Sequence, residues 1–342
     1  MNRAVELARR YGPGLLVAIV LAAVARLLTG LLPKNAVSEV TVAIVLGLIV
    51  GRLPAIRSAA VAPGLKLAAE KALRLGIVLI GATLSVQTIA AILPAVPTIL
   101  VTMAAAITIV LVLSRVASVD ATLATLLAVG MSVCGNTAVV ATSPVIAARP
   151  RDTAYAVATV TLFGTIALLA YPLIGHAAGI ADPVFGLWSG IAINDTSQVI
   201  GASGAYSPAA LEVATVVKLI RNAMMAPLIL GIAWAWSRRT GAAGDTRAGL
   251  RRAVPLFVLG FLALAAIRSG GLIDAALASQ LEVVARALIL VALAAVGLNV
   301  RLEELREVGA RPLLVGLGAA VIVGAASILA IVTLGLASGL AV

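Results

Sequence analysis

Long runs of apolar residues, each ended by a short polar or basic cluster, fill the chain from residue 12 to residue 338. A helix needs roughly 20 apolar residues to cross bilayer hydrocarbon. On that measure the pattern predicts helices at 12–32, 36–51, 72–91, 94–114, 121–146, 154–175, 184–202, 209–236, 253–269, 281–300 and 312–338. The second is short and 184–202 turns polar in its second half, so eleven crossings are expected, with ten and one re-entrant segment as the rival. The predicted fold class is an all-α polytopic membrane protein.

Composition agrees with the pattern. The 342 residues are 62% hydrophobic and 11% charged, with a mean hydropathy of +1.15, outside the range of ordinary soluble domains. One cysteine excludes an intrachain disulfide, and one histidine excludes a histidine metal cluster. The net charge of +11 sits in short basic clusters between apolar runs. These are read as topology signals and not as nucleic-acid contacts.

With the N-terminus in the cytoplasm, eleven crossings put Arg52, Arg57, Lys66, Lys71, Arg74, Arg115, Arg238, Arg239, Arg247, Arg251, Arg252, Arg301, Arg306 and Arg311 inside. Lys34, Arg268 and Asp274 fall outside, and Arg149 with Arg151 runs against the rule. The eleven divide into an extra helix (1–35), a five-helix group (36–176) and a second group (183–338) inverted relative to the first, because five is odd. That register makes 121–146 and 281–300 equivalent, and transporters build midplane sites from such inverted repeats.

Three polar interruptions carry the candidate chemistry. In "MSVCGNTAVVATSPVIAA" (131–148), Gly135 loosens the backbone beside Ser132, Cys134, Asn136 and Thr137. A helix that unwinds there exposes main-chain groups tolerable only against protein or water, and the half-helix that resumes aims its positive end at an anion. In "SGIAINDTSQVIGASGAYSP" (189–208), Asn194, Asp195, Thr196, Ser197 and Gln198 form a dense polar run. Asp195 is costly at membrane depth unless protonated, paired or hydrated, which marks it, with Asn194, as the coupling-ion candidate. In "VATVVKLIRNAMMAPLILG", Lys218, Arg221 and Asn222 fall on one helix face, far from either end of the apolar run. A pairing with Asp195 or with an anionic solute is expected for the two cations, and Asn299 beside Gly297 is expected to supply a second broken-helix contact.

These motifs, with "LRLGIVLIGATLS" (73–85), "PLFVLGFLAL" (255–264) and "GLNVRLEELREVGARPLLVG" (297–316), resemble the YeiH family, the UPF0324 membrane proteins, over nearly the whole chain. The resemblance implies an inner-membrane transporter with discontinuous helices similar to those of bile-acid-symporter and sodium/proton-antiporter folds, and sulfate or a related sulfur-containing anion as solute. Two positions depart from the family's common motif. Asn136 stands where alanine or serine is usual, and Asn194 where histidine usually precedes the aspartate.

The function expected from all of this is secondary transport of a small anion by alternating access, with Ser132, Cys134, Gly135, Asn136, Thr137, Thr196, Ser197, Gln198, Lys218, Arg221, Asn222 and Asn299 lining the path. A passive anion channel, a cation/proton antiporter and, more remotely, a membrane enzyme are the alternatives. No enzymatic activity, cofactor, metal or nucleic-acid partner is expected. Proton or sodium coupling stays open, as does a homodimer; the remaining partner is membrane lipid.

Overall fold

A computed structural model describes residues 3–31, 38–83, 90, 92–240, 245–248, 256–300 and 309–334. Lys34, Arg251, Arg252, Arg301, Arg306 and the predicted span ends at 84–89, 253–255 and 335–338 lie outside them. The described residues are helical or in short connections. They fall into two compact units, Met1–Val86 with Phe257–Arg301, and Gln87–Leu256 with Leu302–Val342. Among the described residues six helices are long and apolar enough to cross a membrane: Val5–Leu31, Leu93–Val116, Pro150–Ala177, Pro208–Arg239, Ala275–Asn299 and Ala310–Thr333. With shorter apolar helices beside them, the chain is a polytopic α-helical membrane protein.

The first unit holds α1 (Arg3–Leu31) and α2 (Glu39–Val50). In α3, Ala62–Leu67 passes through a π turn, Ala68–Ala72, into Leu73–Ile80. The unit is completed by two later helices, Leu256–Ser269 and Ala275–Asn299. Gly47 of α2 packs against Ala294 and Gly297, and Gly51 against Leu298, so α2 crosses the end of Ala275–Asn299 at close range.

The second unit contains α4 (Val96–Val116), α5 (Ala121–Ser132), α6 (Asn136–Thr142), α7 (Pro150–Ala177), α8 (Asp182–Ala192), α9 (Thr196–Tyr206), α10 (Pro208–Ala223) and α11 (Met225–Thr240). The helices named above become α12 (Leu256–Ser269) and α13 (Ala275–Asn299), and α14 (Ala310–Thr333) returns to the second unit. Along α4, Ile99, Ala106 and Val110 are buried while Val101, Val112 and Val116 stay exposed, the division expected of a helix with protein on one side and lipid on the other.

Two predicted spans are folded back on themselves. Residues 121–146 double back: the Ser143 hydroxyl meets Thr153 near the start of α7 at 2.7 Å, while Asn136 donates to Thr161 midway along α7 at 2.9 Å. Asp120, at the start of α5, shares a cleft with Arg149 and Asp152 at the same end of α7. Thus α5 enters from the N-terminal end of α7 and α6 returns to it. Residues 182–206 do the same from the opposite end. Tyr206, closing α9, stacks on Phe185 at 3.8 Å and on His176 at 4.2 Å, and its hydroxyl donates to Ile180 O. The physical reason is length. Legs of 12 residues in α5 and 11 each in α8 and α9 reach about 16–18 Å at the helical rise, roughly half the hydrocarbon thickness.

A second correction concerns the repeat register. The segment 281–300 lies in α13, which is unbroken from Ala275 to Asn299. The other interrupted segment is 182–206.

Candidate functional site

The two hairpin tips meet beside the middle of α7. At the first, α5 stops at Ser132, Val133 leaves helical geometry (φ −115°, ψ −86°), and Gly135 caps α6 at φ +66°, ψ −130°. A side chain is strained there, and space forbids one as well: a Cβ on Gly135 would lie 2.8 Å from Asp195 Oδ2 and 2.9 Å from Asp195 Cα. At the second tip, Ile193 turns extended and Asp195 caps α9. Asp195 Oδ1 accepts from the Ser197 N–H at 2.9 Å and the Ser197 hydroxyl at 2.7 Å. The Asp195 N–H donates to Gln198 Oε1 at 3.3 Å, closing a capping box.

Thr161 of α7 joins the tips. Its hydroxyl exchanges hydrogen bonds with the Asn136 amide, and its carbonyl accepts from Gln198 Nε2 at 3.2 Å. Three residues on, Gly164 makes room: any Cβ there would overlap the Gln198 amide. Thr161 and Gly164 were not singled out in the sequence, because a threonine or glycine in an apolar helix is ordinary packing material.

The two buried cations come from α10. Lys218 is 0% exposed and Arg221 1%. Lys218 Nζ donates to Val133 O at 2.9 Å, to Ile193 O at 3.1 Å and to Asn194 O, using all three of its protons. Arg221 grips Ser132 O through Nε (3.2 Å) and Nη2 (2.6 Å). Its Nη1 donates to Gly190 O (2.8 Å), Ile191 O and Ile193 O (3.1 Å). These carbonyls are the unsatisfied C-terminal ends of α5 and α8, the negative poles of two half-helices.

The expected pairing with Asp195 is therefore corrected: among the described residues neither cation forms an ion pair with it. Main-chain carbonyls at a dry helix end must find donors, whereas Asp195 satisfies itself from its own helix. Asn222 donates to Thr196 Oγ1 at 3.3 Å. Cys134 is buried, its thiol 3.3 Å from Met225 Sδ. Asn136, Asp195, Thr196 and Ser197 are half-buried and Thr137 is exposed. Asn299 belongs to the other unit. It is exposed at the end of α13 in the first unit, where a continuous helix offers no broken end to complete.

Comparison with known proteins places the chain among relatives. A family model described as conserved hypothetical protein 698 matches residues 13–316. A UPF0324 membrane protein of Bacillus cereus is 33% identical over 315 residues, covering 90% of this chain and 88% of its own. One from Bordetella bronchiseptica is 33% identical over 286 residues, covering 82% and 88%. The chain belongs to the UPF0324 family. A shorter match, 37% identical over 207 residues of the Geobacter sulfurreducens member, covers 60% of this chain and 63% of that one. No solved structure matches. The family match agrees with the membership expected from the motifs around Gly135 and Asp195.

Proposed function

We propose that this UPF0324 protein is a secondary transporter that moves a small anion across the cytoplasmic membrane by alternating access. The observation that carries the reading is the meeting of two hairpin tips around Lys218 and Arg221. Half-helices that end at mid-depth are how transporters build a polar site without exposing backbone to lipid. The tips gather two buried basic side chains, Lys218 and Arg221, and one carboxylate, Asp195; with all three charged one positive charge is in excess, and an entering anion offsets it. Lys218 and Arg221 also hold both tips together. The tips are thus expected to change their exposure as one body and not by opening separately. The coupling ion, proton or sodium, is assigned to the neighbourhood of Asp195.

The test is flux in proteoliposomes across a panel of inorganic and organic anions, with imposed pH and sodium gradients. Saturable counterflow of an anion is the expected result. Large unitary currents would make the protein a channel, and cation flux that persists without any anion would make it an antiporter.

We further infer nine crossings: α1, α2, α3, α4, α7, α10 with α11, α12, α13 and α14. One parallel pairing supports this count. Gly316 packs against Thr159 and Phe163, and Gly324 against Tyr171, so α7 and α14 run the same way. Alternating crossings satisfy that pairing only if 182–206 turns back. Charge supports it too, since Arg149 and Arg151 join Arg115 on the basic, cytoplasmic face with the N-terminus, removing the exception that eleven crossings left. The two hairpins enter from opposite faces, one before α7 and one before α10. With Cys134 replaced by alanine, cysteines placed at Ala121 and Ala147 are expected to react with an impermeant maleimide from one face, and those at Ala178 and Ala209 from the other. Labelling of 121 and 147 from opposite faces would restore a crossing.

A further inference from the structure

We propose that the ammonium of Lys218 fills the place of a coupling cation between the two hairpin tips, so that transport proceeds without sodium. This rests on the transport reading above and narrows its coupling ion.

Carriers built on broken helices hold sodium on unwound carbonyls and on the C-terminal ends of half-helices. Lys218 occupies groups of that kind. Its Nζ sits against Val133 O of the first tip at 2.9 Å, and against Ile193 O (3.1 Å) and Asn194 O of the second. Val133, Ile193 and Asn194 are all buried. Three oxygens that have no proton to give therefore surround one nitrogen. A neutral amine has two protons and would turn its lone pair on the third oxygen, so the geometry fits the charged form. The cage draws on both tips, as the cage of a bound ion would, but this cation is tethered to α10 and cannot leave.

Arg221 takes the neighbouring carbonyls of Ser132, Gly190 and Ile191 and shares Ile193 O. The tips contribute one carboxylate, Asp195, whose Oδ1 already accepts twice from Ser197. A sodium ion drawn to Asp195 Oδ2 would add a third positive charge beside two that are buried and poorly screened. An anion at the same place meets charge of the opposite sign. The positive charge that a sodium symporter takes up from solution is thus covalent in this protein.

The test uses the full-length protein, purified and in proteoliposomes, with sodium chloride, N-methyl-D-glucamine chloride and n-propylammonium chloride as probes. Wild-type melting temperature is expected to be the same in sodium and in N-methyl-D-glucamine, and anion flux to agree within roughly twofold, as for a salt that has no site on the folded protein. Lys218→Ala removes the tethered cation and leaves its cage, and the missing part of the side chain has the size of propylammonium. That variant is expected to melt below the wild type and to regain about 2–4 °C in sodium or propylammonium at tenfold over the dissociation constant, and nothing in N-methyl-D-glucamine. Should it fail to assemble in all three salts, the wild-type comparison decides. Wild-type flux that falls more than roughly twofold when sodium is withdrawn, or an assembled Lys218→Ala protein that neither free cation stabilises, would overturn this inference and leave the anion reading standing. The expected cation responses with no saturable anion flux would remove the anion reading and leave the tethered cation in its cage.

Discussion

Replacing Arg221 by leucine is expected to cost the protein its assembled tips, and not merely its activity. Leucine retains apolar volume on α10 but strips every donor from Ser132 O, Gly190 O and Ile191 O. Ile193 O keeps Lys218. Each buried acceptor left without a partner costs about 1–3 kcal/mol, and the sites are dry, since Ser132, Gly190 and Ile191 are buried. The total exceeds what most single substitutions remove and approaches the whole stability of a marginal protein. Purified Arg221→Leu should therefore melt well below the wild type or fail to assemble, with Ser132 and Ile193 newly open to hydrogen exchange. Arg221→Lys should recover part of the loss, because an ammonium reaches carbonyls but lacks the fork that holds Ser132 O twice. A wild-type melting temperature for Arg221→Leu would show that these carbonyls have another source of protons and would undo the cap.

That expectation differs from the reading of Lys218 and Arg221 as free, solute-facing cations, and the difference shows what the sequence conveys. Two cations one turn apart in a long apolar run are legible as buried, because snorkelling has no route from mid-span. Their partners are not legible. The carbonyls they cap belong to every residue type equally, and only the geometry of Ser132–Val133 and Gly190–Asn194 leaves them without helical donors.

The polar runs at Ser132–Thr137 and Asn194–Gln198 were legible as interruptions for a related reason: an apolar helix has no use for glycine, asparagine and aspartate in succession. What followed each interruption was not. A leg of 12 residues, a turn and a leg of 7 occupy about as much sequence as one straight span, so hydropathy alone reads a hairpin as a crossing. The correcting signal was present but distant. Arg149 and Arg151 contradicted the charge rule for eleven crossings, and an exception to that rule is a reason to remove a crossing before it. The broken helix expected at Asn299 is absent from α13, since a glycine near an asparagine after an apolar run also describes the ordinary end of a helix.

Gly135→Ala is expected to abolish transport in a protein that still assembles, and a second glycine supplies the control. Both Gly135 (φ +66°) and Gly179 (φ +61°) have positive φ, so alanine at either carries a backbone penalty of about 1–3 kcal/mol. The surroundings differ. A Cβ at Gly179 meets nothing within 4 Å, whereas at Gly135 it lies within 2.9 Å of Asp195 Oδ2, Cα and Cβ. Asp195 cannot swing aside, because its own N–H and Oδ1 are fixed by the capping box to Gln198 and Ser197. The tips must separate, and Asn136 and Gln198, tied to Thr161 from either side, are drawn off α7. Gly179→Ala should therefore lower the melting temperature by a few degrees and leave flux near wild type. Gly135→Ala should lose flux by at least roughly 100-fold, the scale on which a misplacement of about 1 Å acts at a preorganised site. Equal flux in the two variants would mean that the tips are not in working contact, and the assignment of the site to their meeting point would fail with it.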